Sequence, residues 1–593
     1  MGIDVTIERA MSDETVDKLG GFHKLEGTLK KKDGTTFGYS SKRSEHKNTL
    51  FWEYCKDHDS MPRGAYYMDS RNKKVSKDAM LIGAAKYNKM ETEVDAEAFN
   101  FAYRQMERHY SFMRGCVPIS QDEAIGSLDR TKCAGLPWKW RYKNKGEAFD
   151  DPLVISMLED YYEKLGTGRC WKTMWQYGLK EEMRGIDKMM DNNQRVFCMS
   201  PAEHSYALAR LCHEMNERMY AAGTSQRTFG RVGLSKFYRG WDALARHLLL
   251  VGGKDADQKK MFYVTDMKQF DSSQRALWLR AILKFRQSCL RDKADKLKLE
   301  ELYNDIINTC LVLGTTWEVI EKMLGNPSGS GNTSTDNTLV AYMLLAYGFY
   351  IACKETSRLM SDVEVESAFE RYVCAAQYGD DNTFAVAEDF QDVFNVRILQ
   401  EVLARVGITL TTDSYDPCVI EEATFLGSRF HYDAQTYCYV PAPDGNKLMS
   451  SLMWGSRIDF PEWNLYRAYA ISREMFYCEE YEFVKNFIFT VERERWNTLG
   501  KMTPDQVRQC GMTWNDMKKT FFDDDQVRAL YTCRMETRGD EETLSANHHS
   551  VLKPTSYTDH EDERNCNSEE DVPEDEEEAE HTEGECVCYT PSL

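Results

Sequence analysis

The sequence has no apolar run long enough to cross a bilayer. Its longest, Leu339 to Cys353, covers fifteen residues, against about 20 for a membrane helix; a buried core helix is expected there. A basic-then-apolar stretch is missing at the N-terminus, so no secretory leader is expected. The 18 cysteines include no CxxC joined to a second pair at zinc spacing. They are scattered from Cys55 to Cys588, most of them alone in apolar stretches, and read as reduced cytosolic thiols. There is no internal repeat. Basic charge is also short: 75 Lys and Arg against 96 Asp and Glu leave a net charge of −21, which at first speaks against a phosphate-rich partner.

That deficit is local. Residues 539–593 hold eighteen acids and two basic residues, a net of −16 within the total of −21, which leaves −5 for residues 1–538. A body near −5 can hold a cationic channel, because local distribution governs binding. The segment from 539 has few apolar residues and is expected to be a disordered acidic tail. The rest is ordinary in composition: 42% hydrophobic and 29% charged residues over 593 exclude a disordered, collagen-like or all-membrane chain. That length can bury a large core. The start Met1-Gly2-Ile3-Asp4-Val5-Thr6 fits the permissive myristoylation pattern; an ordinary start is the plainer reading.

Two acidic sites stand out. The β-rich run Met261-Phe262-Tyr263-Val264-Thr265 ends at Asp266, and Asp271 follows just before an amphipathic helix opened by Ser272 and Ser273. Further on, Tyr378-Gly379-Asp380-Asp381 sits between two apolar runs and reads as a β-hairpin whose turn carries both acids. Adjacent carboxylates repel each other unless a cation neutralises them. Oxygen ligands without Cys or His favour Mg²⁺ or Mn²⁺. Taken singly, each is as well explained by a solvated turn, a strand end and a helix cap. Gly325-Asn326-Pro327-Ser328-Gly329-Ser330-Gly331-Asn332-Thr333 is a turn-prone loop before the apolar helix, and small residues let a backbone approach a sugar or phosphate. It is not a P-loop, because no Gly-Lys-Ser/Thr follows.

Read together, these pieces resemble the RNA-dependent RNA polymerases of positive-strand RNA viruses, most closely the picornavirus-like supergroup with its calici-, astro- and sobemo-like members. That family's motif A, Asp-x4-Asp, matches Asp266 and Asp271. Motif B, Ser-Gly-x3-Thr-x3-Asn, matches Ser328, Gly329, Thr333 and Asn337, and motif C matches Tyr378 to Asp381. Lys180, Glu182, Arg184, Lys188 and Arg195 fall at the spacing of motif F. Leu128-Asp129 through Gly135-Leu136-Pro137 resembles the template-guiding motif G, and Phe425 to Phe430 resembles motif E. The likeness covers residues 128–430. One departure concerns motif D, where the family carries a Lys thought to protonate the leaving pyrophosphate: Tyr415 stands at that position, and no Lys lies between Asp389 and Gly445. No general acid is assigned.

The resemblance implies an α+β right-hand fold. Residues 1–205 would form an N-terminal extension and fingers, with a fingers insertion at 303–322. A palm built on an antiparallel sheet would take 206–302 and 323–436, a helical thumb 437–538, and the acidic tail 539–593. It implies two-metal transfer of NTPs onto an RNA 3′ end with two Mg²⁺, for which Mn²⁺ can substitute. Asp266, Asp380 and Asp381 would be the catalytic and metal-binding acids. Asp271, Ser328, Gly329, Thr333 and Asn337 would read the ribose, whose 2′-OH is both donor and acceptor. Lys180, Arg184, Lys188 and Arg195 would meet the triphosphate, with Glu182 orienting them. Gly135, Pro137, Lys139 and Arg141 would contact template. The alternation of cations and aromatics in Lys139-Trp140-Arg141-Tyr142-Lys143 suits a strand that tracks phosphates and stacks bases, and equally a surface strand with two faces. Implied partners are RNA template and primer, NTPs, other viral replication proteins and, indirectly, host membranes. The implied location is the host cytoplasm, in membrane-associated replication complexes. A reverse transcriptase shares the paired acids but normally carries a bulky aromatic at the place of Asp271. A catalytically inactive RNA-binding scaffold descended from a polymerase would be expected to have lost its metal ligands.

Overall fold

The computed structural model describes residues 5–534 apart from 22, 38–46, 63–64, 68–72, 90–91, 181, 186–187, 189, 192, 357–360 and 455–457. Gly2, Glu181 and the acidic segment 539–593 therefore lie outside the described residues. The strands are β1 (Val5–Glu8), β2 (Lys24–Lys31), β3 (Ala65–Tyr67), β4 (Met174–Leu179), β5 (Met183–Gly185), β6 (Val196–Met199), β7 (Phe262–Met267), β8 (Cys310–Leu313), β9 (Glu318–Glu321), β10 (Val373–Tyr378), β11 (Asp381–Val386), β12 (Leu410–Thr411), β13 (Thr424–Phe425), β14 (Ser428–Asp433) and β15 (Cys438–Pro443). With the helices between them they make a mixed α+β fold, as the motif order implies.

The functional sheet is antiparallel in the order β10-β11-β7-β12. Its central strand β7, Phe-Tyr-Val-Thr-Asp-Met, is aromatic and β-branched until the acid, and Phe262, Tyr263, Thr265 and Met267 are buried. One face rests on a central helix, Thr333–Glu355, in which Leu339 to Tyr350 are all buried. A helix apolar all round has to lie inside a protein or a bilayer. Here four helices cover it, Ala96–His109, Ala276–Cys289, Asp362–Tyr372 and Val396–Arg405. Each Leu, Phe or Met it buries contributes roughly 1.5–3 kcal/mol. Among the described residues no helix is long and apolar enough to cross a membrane.

A second sheet runs β1-β2-β9-β8-β4-β6, parallel only between β4 and β8. It draws residues 5–31, 174–199 and 310–321 into one layer beside the functional sheet. The chain ends also meet. Helix Thr49–Asp57 packs on helices Gly445–Met453, Pro461–Glu474 and Tyr481–Arg495. The rings of Phe51 and Phe487 lie 4.9 Å apart and those of Trp52 and Trp454 5.1 Å apart. The N–H of Asn48 donates to the Met453 carbonyl at 2.8 Å. The N-terminal helix Thr49–Asp57 is thus tied to the helices of residues 445–495.

Candidate active site

In the antiparallel register of β7 and β11, Asp266 stands directly opposite Asp381. Asp380 occupies the two-residue turn that joins β10 to β11 and is exposed. Gly379, the first residue of that turn, has φ +63°, as a type II′ hairpin requires. Its N–H donates to the Thr338 hydroxyl at 3.0 Å, which pins the turn to the central helix. The N–H of Leu426, in the β13–β14 turn, donates to the Asp381 carboxylate. Burial, then repulsion from Asp380 and Asp266, pushes the Asp381 carboxyl up to about 7. Burial and Asp380 also raise Asp266, against the opposing charges of Lys188 and Arg195. Three mutually repelling oxygen acids, two of them with raised pKa, are a donor set that a hard divalent cation would relieve. Among the described residues no group of three His, Cys, Asp or Glu is closed tightly enough to hold an ion alone. Mg²⁺ binds through one or two carboxylates and completes its shell with water and substrate phosphates.

Asp271 lies in a short helical turn, Phe270–Ser273, which breaks at Gln274 before helix Ala276–Cys289 begins. The single amphipathic helix expected from Ser272 onward is thus two segments. The break has a cause: Gln274 is drawn into a polar network. Its Nε2 donates to Asn337 Oδ1 at 2.6 Å, as does Asn326 Nδ2 at 3.0 Å, while Asn337 Nδ2 donates to Asp271 Oδ1 at 2.5 Å. Burial, the larger influence, lifts the Asp271 carboxyl to about 6 despite the Asn337 bond. Ser328, Gly329 and Thr333 sit differently. The Ser328 hydroxyl accepts from the Cys198 N–H at 3.4 Å, and the Thr333 hydroxyl donates to Pro327 O at 3.0 Å and Ser330 O at 2.9 Å. A Cβ on Gly329 would fall 1.5 Å from the Cys198 carbonyl oxygen. The glycine allows the loop to approach β6 closely.

The cations of residues 180–195 are organised by one acid. Glu182 is buried, with Arg184 Nη1 at 2.9 Å, Arg195 Nη1 at 3.5 Å and Lys180 Nζ at 3.7 Å. Arg195 and Lys180 also act on the Asp271 carboxylate, and Lys188, exposed, acts on Asp266. Three cations against one carboxylate leave an excess of positive charge facing the acids. Sequence reading missed Lys86, whose Nζ donates to Asn193 Oδ1 at 2.9 Å; burial, then Arg184 and Arg195, lowers its pKa. It missed Gln274, Asn326 and Thr338 as well. The Gly-Asn step before Ser328 was a usable signal for Asn326; nothing in the sequence marks Lys86.

On the template side, Gly135 has φ +73°, and a Cβ there would lie 2.6 Å from Pro201 Cα. Pro137 and Arg141 are exposed and Lys139 is half-buried. The segment is a 3₁₀ turn over Trp138–Trp140, which sets aside the alternative of a surface strand with two faces. Its rings are already engaged. Trp140 stacks on Phe37 at 4.8 Å, the Tyr142 hydroxyl donates to Asp151 at 2.5 Å, and Trp138 Nε1 donates to Glu203 at 2.5 Å. Trp138 is buried, Trp140 and Tyr142 are partly buried, and Arg141 remains at the surface. Burial lifts the Glu203 carboxyl to about 7, against about 4.3 in an unfolded chain. Between those values the folded state keeps a proton that the unfolded state has lost, so stability falls as pH rises through that window, by about 4 kcal/mol, and is flat above it. Glu203→Gln is expected to melt with wild type at pH 5 and above it at pH 8. An equal difference at both pH values would contradict this.

Tyr415 is half-exposed; its hydroxyl donates to Gln400 Oε1 at 2.8 Å and Arg397 lies 4.3 Å from its ring centre. Beside Tyr378 opens a cavity of about 230 Å³ bounded also by Tyr220, Gly233, Gly331 and Ser334.

An antiparallel sheet carrying acids on a strand end and a hairpin turn, beside a cluster of cations gathered on Glu182, has the architecture of a right-hand polynucleotide polymerase. Comparison with known sequences narrows the class. The family described as viral RNA-dependent RNA polymerase matches residues 60–492, and the chain belongs to that family. Among its relatives, the genome polyprotein of Soybean mosaic virus (strain G2) is 28% identical over 396 residues, covering 65% of this chain and 12% of the polyprotein. That of Watermelon mosaic virus II (isolate USA) is 28% identical over 420 residues, 69% of this chain and 38% of the polyprotein. Genome polyprotein 1 of Barley yellow mosaic virus (isolate Germany) is 29% identical over 308 residues, 52% of this chain and 12% of the polyprotein. The chain thus spans well under half the length of these relatives.

Proposed function

We propose that this chain is an RNA-directed RNA polymerase that replicates and transcribes a positive-strand viral RNA genome by joining NTPs to an RNA 3′ end. The observation that carries the reading is the direct opposition of Asp266 and Asp381, with Asp380 in the adjoining turn. Asp266 and Asp380 would hold two Mg²⁺, with Asp381 beside them; Mn²⁺ has the same ligand chemistry. Bound there, the ions would lower the pKa of the attacking 3′-hydroxyl and neutralise the triphosphate and pyrophosphate.

The chain's own residues do the rest. Lys180, Arg184, Lys188 and Arg195 bind the triphosphate, and Glu182 keeps three of them aimed by pairing with each. Asp271 and Asn337 bond the ribose 2′-OH, and a deoxy sugar gives up those bonds. Ser328, Gly329 and Thr333 complete the ribose site from a loop packed against β6. Gly135, Pro137, Lys139 and Arg141 guide template along the turn anchored by Trp138. RNA template, primer and NTPs are the substrates. Other viral replication proteins would be partners, and they would bring the enzyme to host membranes in cytoplasmic replication complexes.

Primer extension on an RNA template tests the reading. Mg²⁺-dependent incorporation of NTPs in preference to dNTPs is expected. A preference for dNTPs would favour a reverse transcriptase, and no incorporation under any metal would favour the inactive scaffold. Asp271→Ala is expected to lower the NTP-to-dNTP ratio of kcat/KM by about 10- to 100-fold, the range for leaving a buried polar group unpaired. An unchanged ratio removes the ribose-reading role from Asp271.

A further inference from the structure

Lys322 follows β9 and is wholly buried. No carboxylate pairs with it among the described residues. Its Nζ instead donates to three backbone carbonyls: Ile306 at 2.7 Å, Ile307 at 3.2 Å and Gly325 at 2.8 Å. Ile306 and Ile307 close the helix Lys293–Ile307, whose last carbonyls attract a cation. Gly325 opens the glycine-serine loop. A buried ammonium without a counter-ion is costly, and burial lowers its pKa to about 7. What it secures is a turn with no slack. Gly325 has φ +82°, and a Cβ there would fall 2.5 Å from the Tyr87 ring and 2.9 Å from the Asp271 carbonyl.

From that turn a continuous chain of bonds leads to the sugar site. The Gly325 N–H donates to Gln274 O and the Asn326 N–H to Asp271 O, both at 2.8 Å. The side chains of Gln274 and Asn326 then both donate to Asn337 Oδ1. With its oxygen doubly engaged, the Asn337 amide is fixed with its nitrogen toward Asp271. Remove the ammonium and three carbonyls lose their donor, one of them the start of this chain.

We propose that Lys322 is a positioning residue for sugar selection, setting the Gly325–Asn326 turn that orients Asn337 and Asp271. The inference rests on the reading of Asp271 and Asn337 as the ribose readers. Lys322→Met keeps the length of the side chain and removes its donors. It is expected to lower the NTP-to-dNTP ratio of kcat/KM by about tenfold, with NTP kcat falling more than NTP KM rises. In Lys322→Ala, propylammonium added to the assay should restore the ratio, whereas tetramethylammonium, a cation without N–H donors, should not. Asn326→Ala cuts the same chain at its next link and should lower the ratio without touching the lysine.

Asp271→Ala run alongside separates the two failures. If it leaves the ratio unchanged, the ribose reading falls and takes this inference with it. If it collapses the ratio while folded Lys322→Met keeps the wild-type value, Lys322 has no part in selection. Should Lys322→Met not fold, a wild-type ratio in Asn326→Ala overturns the proposal on its own.

Discussion

Asp380→Ala is expected to reduce nucleotide incorporation by about 10³-fold or more, equivalent to ~4 kcal/mol of transition-state stabilisation, with no loss of thermal stability. Asp380 stands exposed in the hairpin turn, so the fold owes it little. Its charge raises the pKa of both Asp266 and Asp381, and removing it eases that repulsion. As a ligand it would be hard to replace, because Mg²⁺ is held by only one or two carboxylates, and Asp266 would be left as the main one. Single-turnover primer extension and a melting curve on the same preparation check both halves. A variant within tenfold of wild type would remove Asp380 from the metal site; one that melts well below wild type would show that the turn depends on the carboxylate.

Arg286→Leu should damage the fold more than any change at the acids. Arg286 is wholly buried on helix Ala276–Cys289. It donates to Asp336 Oδ1 at 2.8 Å, Thr335 Oγ1 at 2.8 Å and Asn216 Oδ1 at 3.1 Å. Asp336 also accepts from the Tyr303 hydroxyl at 2.7 Å, and Asn216 Nδ2 donates to Asn332 Oδ1 at 2.9 Å. The network joins three helices to the first turn of the central helix, where Asn337 is seated. Removing one partner of a buried ion pair costs about 3–5 kcal/mol, which for a body of this size is a fall of about 3–5 °C in melting temperature. The double variant Arg286→Leu/Asp336→Leu should recover much of it, because neither charge is then left unpaired. A single variant that melts within a degree of wild type, or a double variant no better than the single, contradicts this account.

Asp336 shows where sequence reading stops. It lies one residue before Asn337 in the same motif, and nothing local separates an acid facing the core from one facing substrate. The partner that decides is fifty residues away on another helix. Lys322 and Glu203 are similar cases: each looks like a solvated charge, and each is buried by elements distant in the chain. The aromatics at 138–142 misled for the same reason, since their alternation says nothing of Phe37 and Glu203, which engage two of the rings.

The sequence by itself determined the family, the α+β class, the buried central helix and the order of the acids. Those properties are written in short windows: an apolar run, a strand ending in Asp, a hairpin turn that needs Gly379, and spacings preserved along one chain. Only the tertiary structure decided which acids face each other, that Glu182 gathers three cations, and that the glycine-serine loop is held by Cys198 and Lys322. Those are contacts between segments far apart in sequence, where strand register and burial, not local residue type, choose the partner.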